Sequence, residues 1–254
     1  MLFRSAGYDR YLAAFSVLIP ALVSSFEKNI SITDSRYTTL NGPIQLLKKW
    51  DYYSGENSVA TTLAIEWAQK LTNSIQRIYI DEGWDDQVSL VKKFAATATE
   101  AELLPPLQAV IKELTTKFGK WEMAWGEINR YQRISSDITQ KYRDDQPSFP
   151  VGFASASWGM LPSYNSRYYP GTNKRYGVSG NSFVCAVEFV RNPDSFGGKR
   201  IKAKSLLAGG NSGNPTSKHF TDQLEMYTKG QFKEVLFYKE DVLKQVERKY
   251  HPGE

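Results

Sequence analysis

The sequence predicts a mixed α/β chain of the α+β kind, and three observations carry that expectation. Apolar residues recur at three-and-four spacing through the first half. After about residue 145 the composition turns to Ser, Gly, Asn and Tyr, and Pro147, Pro150, Pro162 and Pro170 cut the chain into short pieces. Two segments beyond residue 180 then have strand character. The expected division is a mostly helical region over 1–145 and a β-rich segment with C-terminal helices over 146–254.

Taken in order, Tyr11 to Val23 is apolar but short and interrupted by Pro20. A membrane span needs about 20 apolar residues, and neither a basic leader nor a small-residue cleavage site accompanies the segment. It reads as a buried helix, in a chain whose abrupt opening suggests a piece of something longer. A short helix is expected near Ile44 to Trp50. Ala60, Leu63, Ala64, Trp67, Leu71, Ile75 and Ile78 define a long one behind Asn57 or Ser58 as N-cap. Another is expected near Gln87 to Ala96. Leu103, Leu107, Val110, Ile111, Leu114 and Phe118 repeat the pattern, with Gly119 placed as C-cap. Because proline is tolerated only in a first turn, Pro105 and Pro106 set the expected start of that helix near Leu104.

In the second half, Phe183 to Val190 (FVCAVEFV) is a continuous apolar run with one charge, Glu188, and reads as a strand buried on both faces. Ile201 to Leu207 alternates with Lys and Ser and reads as a strand with one face in water. Asn192 to Gly198 between them is loop chemistry suited to a hairpin. Helical segments are expected around Asp222 to Lys229 and Lys239 to Lys249.

Composition excludes several functional classes. Apolar residues at 41%, charged residues at 23% and fifteen Tyr, thirteen Phe and six Trp describe a chain that builds a core. A lone Cys185 excludes an internal disulfide framework and a Cys-based zinc site. Two histidines, His219 and His251, exclude a His-rich metal site built by this chain alone; no metal ligand or cofactor is assigned to the chain. The net charge of +5 is a small excess of interleaved charges, and its densest stretch, Lys199, Arg200, Lys202 and Lys204, alternates like one solvated strand face. Neither nucleic acid nor membrane is expected as a partner.

Three candidate chemistries fail on their residues. Gly210-Asn211-Ser212-Gly213 lacks the glycine at 214 of a nucleophile elbow. The glycines at 209, 210 and 213 lack the Lys-Ser/Thr ending of a phosphate loop. His219 and Asp222 could form a dyad, but no third group is identifiable. Glu188 is different, since a carboxylate in an apolar strand must be paired or must point away from a core. Either it is an edge residue or a structural ion pair, or it orients an imidazole or a cation in a site.

The same residues carry a resemblance. Gly180 to Phe189, then Gly210-Asn211-Ser212-Gly213-Asn214-Pro215 with Ser217, His219-Phe220 and Asp222-Gln223, then Met226-Tyr227 and Gly230, resemble the C-terminal end of the penicillin amidases (penicillin acylases). That family includes cephalosporin, aculeacin and acyl-homoserine lactone acylases. Upstream, Leu47 to Asp51 with Ser58 and Glu66-Trp67, Trp125 to Arg130, and Phe149 to Phe153 are similar to further family segments, in order.

The resemblance implies an N-terminal nucleophile hydrolase: a precursor cleaves itself, and the new N-terminal Ser attacks a linear amide with its own α-amino group as base. It implies the C-terminal part of an αββα sandwich with antiparallel sheets, plus an all-helical knob. Residue 1 here is Met, and the family's large chain is longer. The expectation is a C-terminal half of a large chain, inactive alone, with nucleophile and oxyanion-hole residues elsewhere. Its expected partners are the small chain, the first half of the large chain and an acyl-amide substrate. In the cephalosporin and glutaryl branch a Glu in this strand partners a His near the nucleophile, and Glu188 matches it; the penicillin G branch manages without that His. The Gly210 to Gln223 loop is implied to be structural. Export to the periplasm follows from the resemblance as well. The alternative is a catalytically dead relative that serves as a binding or assembly module.

Overall fold

The computed structural model describes residues 7–82, 86–191 and 199–247. They form an α+β chain dividing into two compact units, Ser5–Gly180 and, with the first four residues, Asn181–Glu254. The composition change near residue 145 falls inside the longer unit. The Asn192 to Gly198 loop and His251 lie outside the described residues, and the last expected helix stops at Lys244, short of the Lys249 reading.

The longer unit begins with five helices: α1 (Phe15–Asn29), α2 (Tyr37–Lys48), α3 (Val59–Glu82), α4 (Gln87–Thr97) and α5 (Glu100–Phe118). Their apolar stripes meet in one core. Leu18 and Leu22 of α1, Leu40 and Ile44 of α2, Leu63 and Trp67 of α3, Phe94 of α4 and Leu107 and Val110 of α5 are all buried. Ser58 caps α3 through Oγ, which accepts from the Thr61 amide at 3.0 Å. Gly119 closes α5 in the left-handed conformation at φ 79°.

Two expectations about helix limits are corrected. α2 starts at Tyr37 and ends at Lys48, earlier than the Ile44–Trp50 reading. α5 starts at Glu100 and carries Pro105 and Pro106 inside it. A capping interaction explains this. The Glu102 carboxylate accepts from the Thr99 amide and from Thr99 Oγ1, both at 2.9 Å, and so nucleates a turn ahead of the prolines. Pro105 is exposed and Pro106 half-buried. The backbone bonds they delete are therefore lost on the helix's outer side, where water can satisfy the freed carbonyls.

A short helix α6 (Trp125–Ile128) leads into a four-stranded sheet of β1 (Asn129–Tyr131), β2 (Phe149–Pro150), β3 (Tyr164–Tyr168) and β4 (Arg175–Gly180), in the order β2-β1-β4-β3. β1 pairs antiparallel with β2 and parallel with β4, and β3 pairs antiparallel with β4 through an irregularity at Asn165/Ser166.

The shorter unit is a three-stranded antiparallel sheet, β5 (Phe183–Arg191), β6 (Lys199–Leu207) and β7 (Lys233–Val235), in that order. Helices α7 (Leu224–Lys229) and α8 (Lys239–Lys244) complete it. The expectation that β5 is buried on both faces is corrected. Phe183, Val187 and Phe189 are 59%, 47% and 66% exposed, and Cys185 beside them is exposed too. All four share one face by strand alternation.

Candidate functional site

Glu188 sits at the middle of β5, on the face opposite Phe183, Val187 and Phe189, and is exposed. Its directly opposed residue on β6 is Lys202. The neighbouring cations on that face are engaged: Arg200 Nη2 lies 2.7 Å from Asp241 Oδ2, and Lys204 Nζ lies 3.7 Å from Glu234 Oε1. Among the described residues no ion pair within 4.0 Å involves Glu188 or Lys202. The carboxylate therefore stands over a strand pair with its charge open to solvent.

The loop from Gly209 to Gln223 is fixed to the sheet by its last residue. Gln223 is buried, its Oε1 accepts from the Leu207 amide at 3.1 Å, and its Nε2 donates to Asn211 Oδ1 at 3.1 Å. His219 Nδ1 and Asp222 Oδ2 lie 2.7 Å apart on the outside of this loop. A Cβ at Gly210 would come within 2.2 Å of the His219 carbonyl oxygen, so the close approach needs glycine there. With Asn214 accepting from the Thr216 amide at 3.0 Å, the segment is a self-bonded turn. The His219–Asp222 pair works inside it as a hydrogen bond, and the neighbouring Ser217 hydroxyl accepts from the His219 backbone amide at 3.2 Å.

The motif residues of the longer unit likewise hold one another. Asn129 Nδ2 donates to the carbonyls of Val151 and Phe153 at 2.7 and 3.0 Å, and Trp125 Nε1 donates to the Phe153 carbonyl at 2.9 Å. A Cβ on Gly126 would meet Glu56 Cβ at 2.8 Å, which is why the chain can cross only with glycine there. Asp51 accepts from the Tyr53 amide at 3.0 Å and Trp50 Nε1 donates to the Tyr53 carbonyl at 3.0 Å. That pair of bonds holds Tyr52 in the left-handed region at φ 64°. Trp67 Nε1 donates to the Leu103 carbonyl at 2.9 Å, tying α3 to α5.

One buried polar cluster was not legible in the sequence. Arg175 of β4 reaches Glu66 of α3, with Nη1 2.9 Å from Oε1, and donates to Gln69 Oε1 at 2.7 Å and to the Ser166 carbonyl at 2.6 Å. Burial first, and the Glu66 charge second, push the adjacent Tyr168 hydroxyl far above the ordinary tyrosine range. Burial also lifts Tyr142 to about 12, and burial together with Asp144 lifts Tyr176. These phenols stay protonated at neutral pH, and those of Tyr142 and Tyr176 donate to the Gly177 carbonyl at 2.7 Å and to Asp144 Oδ1 at 2.8 Å.

The turns and strand contacts above are scaffold built around the residues that carry the resemblance, in an α+β chain. The chain belongs to the penicillin amidase family, whose profile matches residues 3–244, a family of acylase-type hydrolases. Among solved structures it is similar to a thermostable penicillin G acylase from Alcaligenes faecalis, with 12% sequence identity and a TM-score of 0.43. The match covers 96% of this chain and 47% of that one, so the chain spans about half the length of that relative. No helix among the described residues is long and apolar enough to cross a membrane.

Proposed function

We propose that this chain is the C-terminal half of the large chain of an acylase that hydrolyses a linear amide between an acyl group and an amine. Family membership over residues 3–244 is the observation that carries the reading. In it, the remainder of the precursor supplies the N-terminal Ser nucleophile and the oxyanion hole, and the chain alone turns over nothing. The assembled protein matures by self-cleavage as a zymogen and works in the periplasm, with β-lactam amides among the candidate substrates. The expected partners are the small chain and the first half of the large chain. The exposed apolar side of β5 supports this, because a strand with Phe183, Val187 and Phe189 bare to water is suited to be covered.

Within that reading Glu188 orients a catalytic imidazole supplied by the remainder. Its freedom from an ion pair among the described residues supports the role, since a carboxylate already neutralised by a local cation would be a poor partner for an imidazolium. The chain should be assayed alone and joined to its upstream remainder, on acyl amides of several chain lengths. Release of amine only by the joined protein is expected. Turnover by the chain alone, or none by a joined protein that carries the Ser, would overturn the reading. In the joined enzyme Glu188→Gln should lower kcat by tenfold or more, about 1.4 kcal/mol of barrier, with the fold intact by circular dichroism. Unchanged turnover removes Glu188 from the site while leaving the acylase reading in place.

A further inference from the structure

Within the longer unit a cavity of about 780 Å³ opens between α3, the start of α4, the 154–158 loop and strands β3 and β4. Its floor is buried and largely apolar, formed by Ile65, Ile75, Trp125 and Trp158. Among the described residues its rim is neutral and polar: Gln76 brings an exposed carboxamide, Asn165 a carboxamide whose Nδ2 donates to Ser179 Oγ at 3.1 Å, and Ser157 a hydroxyl that accepts from Ser155 Oγ at 3.1 Å.

Among the described residues two charged groups reach the lining, and both are committed. Arg175 is 4% exposed and bound by Glu66, Gln69 and Ser166. Asp86 accepts from the amides of Val88 and Ser89 at 2.9 and 3.0 Å, and from Ser89 Oγ at 2.7 Å, as the cap of α4. An anion would have to draw Arg175 from a buried pair, and a cation would have to draw Asp86 from its cap. A neutral molecule meets the lining as it stands, with an apolar arm on the floor and an amide or hydroxyl end at the rim. The size is that of a small-molecule site.

We propose that this cavity binds an uncharged small molecule with an aromatic or aliphatic arm and a carboxamide-like end. The site is separate from the acylase reading and needs no turnover to be seen.

Three isosteres of one shape test it: 2-naphthamide, 2-naphthoate and 2-naphthamidinium, titrated against the chain by ligand-observed NMR. Saturable binding of the amide is expected, with the anion and the cation at least tenfold weaker. Ser157→Trp fills the mouth from an exposed position and should abolish amide binding. Gln76→Ala with Asn165→Ala should weaken it severalfold, with the thermal unfolding midpoint unchanged in both variants. Absence of saturable amide binding, equal or tighter binding of either charged isostere, or full binding by the Ser157→Trp protein would each overturn the proposal.

Discussion

Replacing Arg175 with methionine would strand the Glu66 carboxylate, whose side chain is 10% exposed, without its cation. The loss of one partner of a buried pair costs about 3–5 kcal/mol, because the remaining charge keeps its desolvation penalty. Arg175→Met should therefore lower the urea midpoint sharply. The double change Glu66→Leu with Arg175→Met removes both charges and should recover most of the loss. Equal destabilisation by the single and double variants would show that the pair is not what ties α3 to β4. The two residues lie 109 positions apart, so no spacing rule could have joined them. Glu66 and Trp67 were recognisable as a family segment, but the reason for Glu66 appears only when β4 is folded against α3. Glu188 shows the converse. Its oddity was visible in the sequence, because one charge in an apolar run is conspicuous, yet its surroundings depended on which cations of β6 were already taken.

At the level of elements, the start of α5 rests on Glu102. The Thr99 backbone amide, and then the Thr99 hydroxyl, hold its carboxyl below the ordinary range. A depressed carboxyl contributes stability above its unfolded value, near pH 4.3. That contribution is lost as pH falls through the lower folded value. Fraying of α5 should thus set in as pH falls below about 4, and Glu102→Ala should cost about 1 kcal/mol at neutral pH and progressively less as the carboxyl is protonated. Amide exchange at residues 100–104 in both proteins measures this. The same cap explains why proline chemistry alone misplaced the helix start by several residues, whereas the sequence narrowed one cap to Asn57 or Ser58 and read Gly119 directly. Their signals are local: a side chain and an amide three residues on, or a glycine at a left-handed turn. The burial of β5 could not be read locally. Apolar alternation gives a strand and its faces, but what covers a face lies in other elements. Because β5 is an edge strand, with Phe183, Val187 and Phe189 exposed, the isolated chain should self-associate. Val187→Lys with Phe189→Lys should shift it toward monomer in light scattering. A strictly monomeric parent chain that binds no hydrophobic dye would refute this.

For the whole molecule, the two units differ in how much core each owns. The longer one buries apolar side chains from all five of its long helices and from its sheet, enough for a domain of its size. Among the described residues of the shorter unit, the buried apolar side chains are Leu206, Phe220, Leu224 and Tyr227. So small a buried set leaves the shorter unit short of the core that a self-standing domain needs. The fragment 5–180 should therefore unfold cooperatively in urea with strong helical circular dichroism. The fragment 181–254 should show no cooperative transition and little near-ultraviolet signal from its tyrosines. On the acylase reading proposed above, adding the upstream remainder should restore order to 181–254 and quench its binding of hydrophobic dye, if the bare side of β5 is where that remainder docks. A cooperative transition in 181–254 alone would mean that its strands and the Gly209 to Gln223 loop carry more stability than burial assigns them. It would also remove the need for a covering partner.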